Sequence, residues 1–148
     1  MKMVFREAMF MQGYFIMRVY QRGKLIEVYE DKNLIVNGAK NAAAGLLGGN
    51  GSGKQISKIG FGTGGNIPTP DDIELVSPFI RPISSAVYPA VGQVEFRWNL
   101  LAQEANGKHI IEFGLFCEDG TLFSRKIREE AIPKDKDISL EGEWIIIF

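Results

Sequence analysis

Gln93-Val94-Glu95-Phe96-Arg97-Trp98-Asn99-Leu100 alternates strictly between two kinds of side chain. Successive side chains on a strand point to opposite faces, so Val94, Phe96, Trp98 and Leu100 line one buried face. Glu95, Arg97 and Asn99 are left for the other. Downstream, Ile110-Ile111-Glu112-Phe113-Gly114-Leu115-Phe116-Cys117 runs into Glu118-Asp119-Gly120 and then Thr121-Leu122-Phe123-Ser124-Arg125-Lys126-Ile127. The Asp-Gly pair supplies the positive φ of a tight hairpin turn, with apolar runs on both sides. Side-chain pattern thus lays down a sheet in this part of the chain, and no catalytic constellation accompanies it.

Working outward, Tyr14–Tyr20 and Lys24–Tyr29 flank the short loop Gln21-Arg22-Gly23, so residues 13–36 read as an N-terminal hairpin region. Asn37-Gly38 then punctuates the chain. Asn41–Leu47 is the one convincing helix, over residues 41–47. Alanine and leucine favour it, Asn41 can cap it and Gly48-Gly49 can end it. A helix this short depends on docking against the sheet. Residues 56–148 carry the main sheet strands. Within them, residues 66–82 hold four of the six prolines and read as an irregular connection with one helical turn at Asp71–Val76. Pro78, Pro82 and Pro89 bar their own positions from central strands. The final run, Leu140 to Phe148, alternates and then becomes apolar on both faces, which implies burial deep in a sheet or under a partner. The expectation is a single mainly β domain over 1–148, an antiparallel sandwich or barrel-like fold with one short helix.

Composition narrows the function classes. The 148 residues suit one domain with its own core. Seventeen basic against eighteen acidic residues leave a formal charge of −1, which argues against general nucleic-acid binding. A single cysteine, Cys117, excludes an internal disulfide and lies in an apolar strand, where an inert buried thiol is expected. No run approaches the roughly 20 apolar residues of a membrane span. Ala8–Met17 is uncharged, but Gln12, Gly13 and Tyr14 interrupt it and Arg18-Val19-Tyr20-Gln21 is no small-residue cleavage site, so it reads as part of the first strand region.

Several motifs carry chemistry elsewhere and fail here. Gly48-x4-Gly53-Lys54 matches most of a phosphate loop, but Gln55 stands where Ser or Thr should hold magnesium, and the helix precedes the loop instead of following it. Gly60-x-Gly62-x-x-Gly65 follows a strand, yet Asn66-Ile67-Pro68-Thr69-Pro70 cannot open the helix that would cradle a pyrophosphate. Those glycines are read as allowing a bend and close backbone approach. His109, the one histidine, has no second histidine for a metal site and no nucleophile beside it. Asp71, Asp72 and Glu74 read as first-turn carboxylates of a short helix. Trp98 and Trp144 read as core. The expectation is therefore no enzyme, with no catalytic, cofactor-binding or metal-ligating residues.

A set of phrases points further. They are Asn33-Leu34-Ile35-Val36-Asn37-Gly38-Ala39-Lys40, Ile56-Ser57-Lys58-Ile59-Gly60-Phe61-Gly62-Thr63-Gly64 and Pro68-Thr69-Pro70-Asp71-Asp72 with Leu75. Glu104-Ala105-Asn106-Gly107, Ile111 to Phe116 and Asp119 to Arg125 follow. In this order they resemble small bacteriophage and prophage tail-associated proteins, of the tail-fibre or baseplate-related kind, over roughly residues 30–148. The resemblance implies a structural, oligomeric part of a phage tail or tail-like particle, made in the bacterial cytoplasm. Its partners would be itself and other tail proteins, and it hands over no catalytic residues. The candidate assembly interface is the C-terminal run Trp144, Ile145, Ile146, Ile147 and Phe148. The alternative is a β-sandwich module that binds carbohydrate, such as a surface glycan, or peptide, with Tyr14, Tyr20, Tyr29 or Tyr88 as its platform.

Overall fold

The computed structural model describes residues 11–148. Residues 8–10 of the uncharged run Ala8–Met17 lie outside the described residues. In chain order the elements are β1 (Gln12–Gln21), β2 (Lys24–Ile35), α1 (Asn37–Leu47), β3 (Ile56–Gly62) and β4 (Phe79–Pro82). They continue with β5 (Ser85–Val87), β6 (Gln93–Leu100), β7 (His109–Cys117), β8 (Leu122–Pro133) and β9 (Ile138–Ile147). Nine antiparallel strands form one curled sheet, a half-barrel, in the order β4-β3-β7-β8-β2-β1-β9-β6-β5.

Two features shape the curl. Where β2 meets β8 the ladder is only two pairs long, Leu34 opposite Arg125 and Ile35 opposite Ser124. Beyond that point the strands splay apart. At the far side, the outermost strands β4 and β5 are consecutive in the chain, with only Ile83 and Ser84 between them. Ile83 N–H donates to Ser57 O of β3 at 3.0 Å, and Ser84 N–H to Arg97 O of β6 at 2.7 Å. One short segment therefore holds the two ends of the sheet near each other.

Alternation fills the concave side. Phe15, Met17 and Val19 of β1, Phe96, Trp98 and Leu100 of β6, and Leu140, Trp144 and Ile146 of β9 meet Ile59, Phe61, Phe113 and Leu115 from β3 and β7. Phe15 lies at the centre, stacked on Trp98 at 5.5 Å and within 5 Å of the rings of Phe113 (4.8 Å) and Trp144 (4.9 Å). Aromatic pairs at these separations add about 1 kcal/mol each beyond area burial.

The convex side of β3 and β7 has its own small core. Gly60 and Gly114 face each other across the ladder, and Leu75 settles over them beside Val36, Phe116 and Leu122. A Cβ on Gly60 would lie 2.7 Å from the Phe116 ring and 3.2 Å from Leu75. Residues 63–78 thus form a strap across the outside of the sheet. No helix forms at Asp71–Val76; the chain turns at Pro70-Asp71 and then runs irregularly. The reason is local: Asp72 turns back to bond the Thr69 N–H and hydroxyl, both at 3.0 Å, which competes with helix.

The helix starts at Asn37 rather than Asn41. Val36 is its cap residue and no side chain caps it. Asn37 instead ties down the strap, its N–H bonding Pro70 O at 2.8 Å and its Nδ2 bonding Asp71 Oδ1 at 2.9 Å. Gly38 lets the first turn press on β8, since a Cβ there would lie 2.5 Å from Leu122 O.

Candidate functional site

The most organised polar cluster joins residues far apart in sequence. Glu112 on β7 and Arg125 on β8 are each 1% exposed, and Arg125 Nε donates to Glu112 Oε1 at 2.9 Å. The other carboxylate oxygen of Glu112 accepts the backbone N–H groups of Gly64 (2.6 Å) and Val76 (2.8 Å), the two ends of the strap. The Arg125 guanidinium continues to Asp72 Oδ2 at 3.0 Å, Asn66 Oδ1 at 3.2 Å and Gly64 O at 3.3 Å. Two glycines give the Glu112 carboxylate its room. A Cβ on Gly62 would lie 2.7 Å from Glu112 Oε2, and one on Gly64 at 2.6 Å. Burial pushes the Asp72 carboxyl up, but its bonds to Thr69 and Arg125 outweigh this and hold it below the usual carboxylate range. These bonds make the cluster a clasp that fixes the strap.

This explains what the phrases at Gly62 to Gly64, Asp71-Asp72, Leu75, Glu112 and Arg125 have in common. The fold brings them to one place. Sequence reading missed the clasp, because alternation marks Glu112 and Arg125 as sharing a strand with apolar residues but not as neighbours.

The individual candidates lie apart. His109 is exposed at the start of β7, opposite Pro133, while Cys117 is buried at the other end of the strand. Burial pushes the Cys117 thiol up to about 11. Gly48 to Lys54 links α1 to β3, and Lys54 Nζ pairs with Asp119 Oδ2 at 2.6 Å across the mouth of the β7–β8 turn. Among the described residues, no group of three His, Cys, Asp or Glu side chains converges as metal ligands. No helix among them is long and apolar enough to cross a membrane.

Of the C-terminal run, Trp144 and Ile146 point into the chain's own core and are fully buried. β9 is a central strand, paired with β1 on one side and β6 on the other. The outward members are Ile145 and Ile147, half-buried, while Phe148, exposed, lies beyond Ile146 at the rim of the inner face.

The splay between β2 and β8 leaves a groove of about 670 Å³ with Tyr29 at its base. Two ion pairs cross it, Lys126 to Asp31 and Arg128 to Glu27, both at 2.6 Å. The two cations lie 5.8 and 5.0 Å from the Tyr29 ring centre, within cation–π range. Tyr14 and Tyr20 lie on the outer face of β1, where they bond Glu30 and Glu141, and Tyr88 is exposed beyond β5. The four tyrosines do not form one platform.

The fold and these surfaces define an antiparallel half-barrel with a strapped outer face. In comparisons with protein-family models, curated proteins and solved structures, none matches the chain.

Proposed function

We propose that the chain is a non-enzymatic structural component of a phage tail or tail-like particle, tail-fibre or baseplate-related, acting through protein–protein assembly with itself and with other tail proteins. One observation carries the assembly reading. Among the described residues, Lys24–Asn33 of β2 forms ladder pairs with β1 but none with β8, which reaches it through the side chains of Lys126, Arg128 and Ser124 alone. The same stretch exposes Leu25 (47%), Ile26 (52%) and Val28 (55%). A long strand edge with exposed apolar residues favours pairing with another chain. Outward Ile145 and Ile147 add apolar surface on the outer face of the same sheet, on the far side of the Arg18 ion pairs with Glu141 and Glu143. The phage setting rests on the sequence phrases alone.

Light scattering across a concentration series tests assembly. The expected result is a discrete oligomer that Val28→Lys shifts toward monomer with the fold intact by circular dichroism. A wild-type chain that stays monomeric at all concentrations, and does not co-purify with tail particles, refutes the reading. A second reading, a carbohydrate- or peptide-binding module, is favoured by the Tyr29 groove. Glycan-array binding that Tyr29→Ala abolishes would support it, and an empty array would count against it.

A further inference from the structure

We propose that the open end of the half-barrel is a binding site for a small amphipathic anion, an aliphatic chain or aromatic body with a carboxylate head. The site shares Phe148 with the apolar C-terminal run of the assembly reading, but its test reads ligand binding rather than oligomeric state.

A cavity of about 320 Å³ lies where the curled sheet fails to close, between the starts of β3 and β6 and the end of β9. Its size is at the lower end of the range for small-molecule sites, and barrel mouths are a common place for them. Val94, Phe96 and Ile146 form one wall from the sheet's inner face, and Ile56 and Phe123 face them across the gap. Ala43 on α1 closes the third side. These groups are largely apolar and already ordered, so an apolar ligand gains burial at little cost in reorganisation.

The mouth is also apolar. Tyr88 and Phe148 stand at the rim and remain 78% and 59% exposed. Large side chains left open beside an apolar cavity mark a surface still to be covered.

The head group follows from the single ionised residue of the lining, Lys54. Its ammonium has three donors and spends one on Asp119 Oδ2 at 2.6 Å. The remaining N–H groups can take a carboxylate without breaking that pair. An apolar body against the sheet with its anionic end at Lys54 satisfies both parts of the cavity, whereas a neutral apolar molecule satisfies only one.

Decanoate is the probe, titrated into the full chain by calorimetry, with decanol as the neutral control. Saturable decanoate binding is expected. Filling the cavity with Ala43→Phe, or with Ala86→Trp on the edge strand should the helix substitution disturb folding, lowers affinity about tenfold or more, the worth of roughly two buried methylenes. Lys54→Met weakens decanoate several-fold and leaves decanol unchanged. Absence of saturable binding, or equal affinity in folded filled variants, overturns the site. Equal loss for decanoate and decanol in Lys54→Met, or no loss for decanoate, overturns the anionic head.

Discussion

Replacing Arg125 by methionine tests the clasp at its most connected residue. Arg125→Met keeps an unbranched apolar stem of similar reach but removes the bonds to Glu112, Asp72, Asn66 and Gly64 O. Glu112 then remains 1% exposed with two backbone N–H donors and no cation among the described residues. Removing one partner of a buried ion pair costs about 3–5 kcal/mol, because the other charge stays desolvated. That is a large part of the roughly 5–15 kcal/mol that holds a domain together. For a chain of this size it corresponds to a fall in Tm of about 10 °C. Urea unfolding followed by tryptophan fluorescence reads it, since Trp98 and Trp144 are both in the core. Glu112→Gln in the same chain supplies the control. With the Glu112 carboxylate already neutralised, loss of Arg125 strands no charge at Glu112 and leaves only the Asp72 carboxylate without its cation, so the double variant is more stable than the two single losses predict, by about 1–3 kcal/mol. The strap should also become the first site of proteolysis in Arg125→Met, because Arg125 itself holds Asp72, Asn66 and Gly64 O of the strap. A loss under about 1 kcal/mol, the value of an exposed pair, would refute the reasoning, as would strict additivity with Glu112→Gln.

The remaining expectations concern other parts of the fold. Gly142→Ala places a methyl against Ile16 O and 2.7 Å from Trp98 Cζ2, in mid-sheet where the backbone cannot yield; denaturant midpoints should fall by the equivalent of about 1–3 kcal/mol or more, and an unchanged midpoint would contradict the packing described. Cys117, pushed to about 11 by burial, should resist thiol reagents at pH 8 and react fully in urea, with only about one native thiol in a thousand ionised; rapid labelling of the native chain would show that the β7 end is open. Asp119 is held down to about 2, first by the bond from Lys54 and then by Thr121. Its folded value lies below its unfolded value of about 4, so its stabilisation is complete above that pH and is lost as pH falls through about 2. The urea-midpoint difference between wild type and Asp119→Asn should therefore be present at pH 7, shrink from about pH 4 downward and vanish near pH 2; a difference that ignores pH would show that the pair contributes nothing.

How much of this was legible in the chain depends on whether the information was local. The hairpin at Arg22-Gly23 and the turn at Asp119-Gly120 were readable because positive φ favours glycine; Gly23 and Gly120 have φ of 78° and 91°. The inward placement of Phe96, Trp98 and Leu100 followed from period-two alternation alone. The helix start was misread because Asn37-Gly38 has the composition of a turn, and only the contact of Gly38 with β8 and of Asn37 with the strap makes it helical. The clasp was illegible for a stronger reason. Glu112 and Arg125 become partners through the register of β7 with β8, where Gly114 faces Arg125 and a bulge at Ile111 shifts the faces, and register is not written in either strand alone. The strap adds a third sequence-distant piece, and its Pro-rich text gives no periodicity to follow. The same logic bears on β9. An apolar run on both faces implies burial on both sides, but the sequence does not say whether strands of the same chain or a partner provide it. Here β1 and β6 flank it and the core takes Trp144 and Ile146, which leaves Ile145 and Ile147 on the outer face as the part of the run that an assembly contact can still use, with Phe148 at the cavity rim.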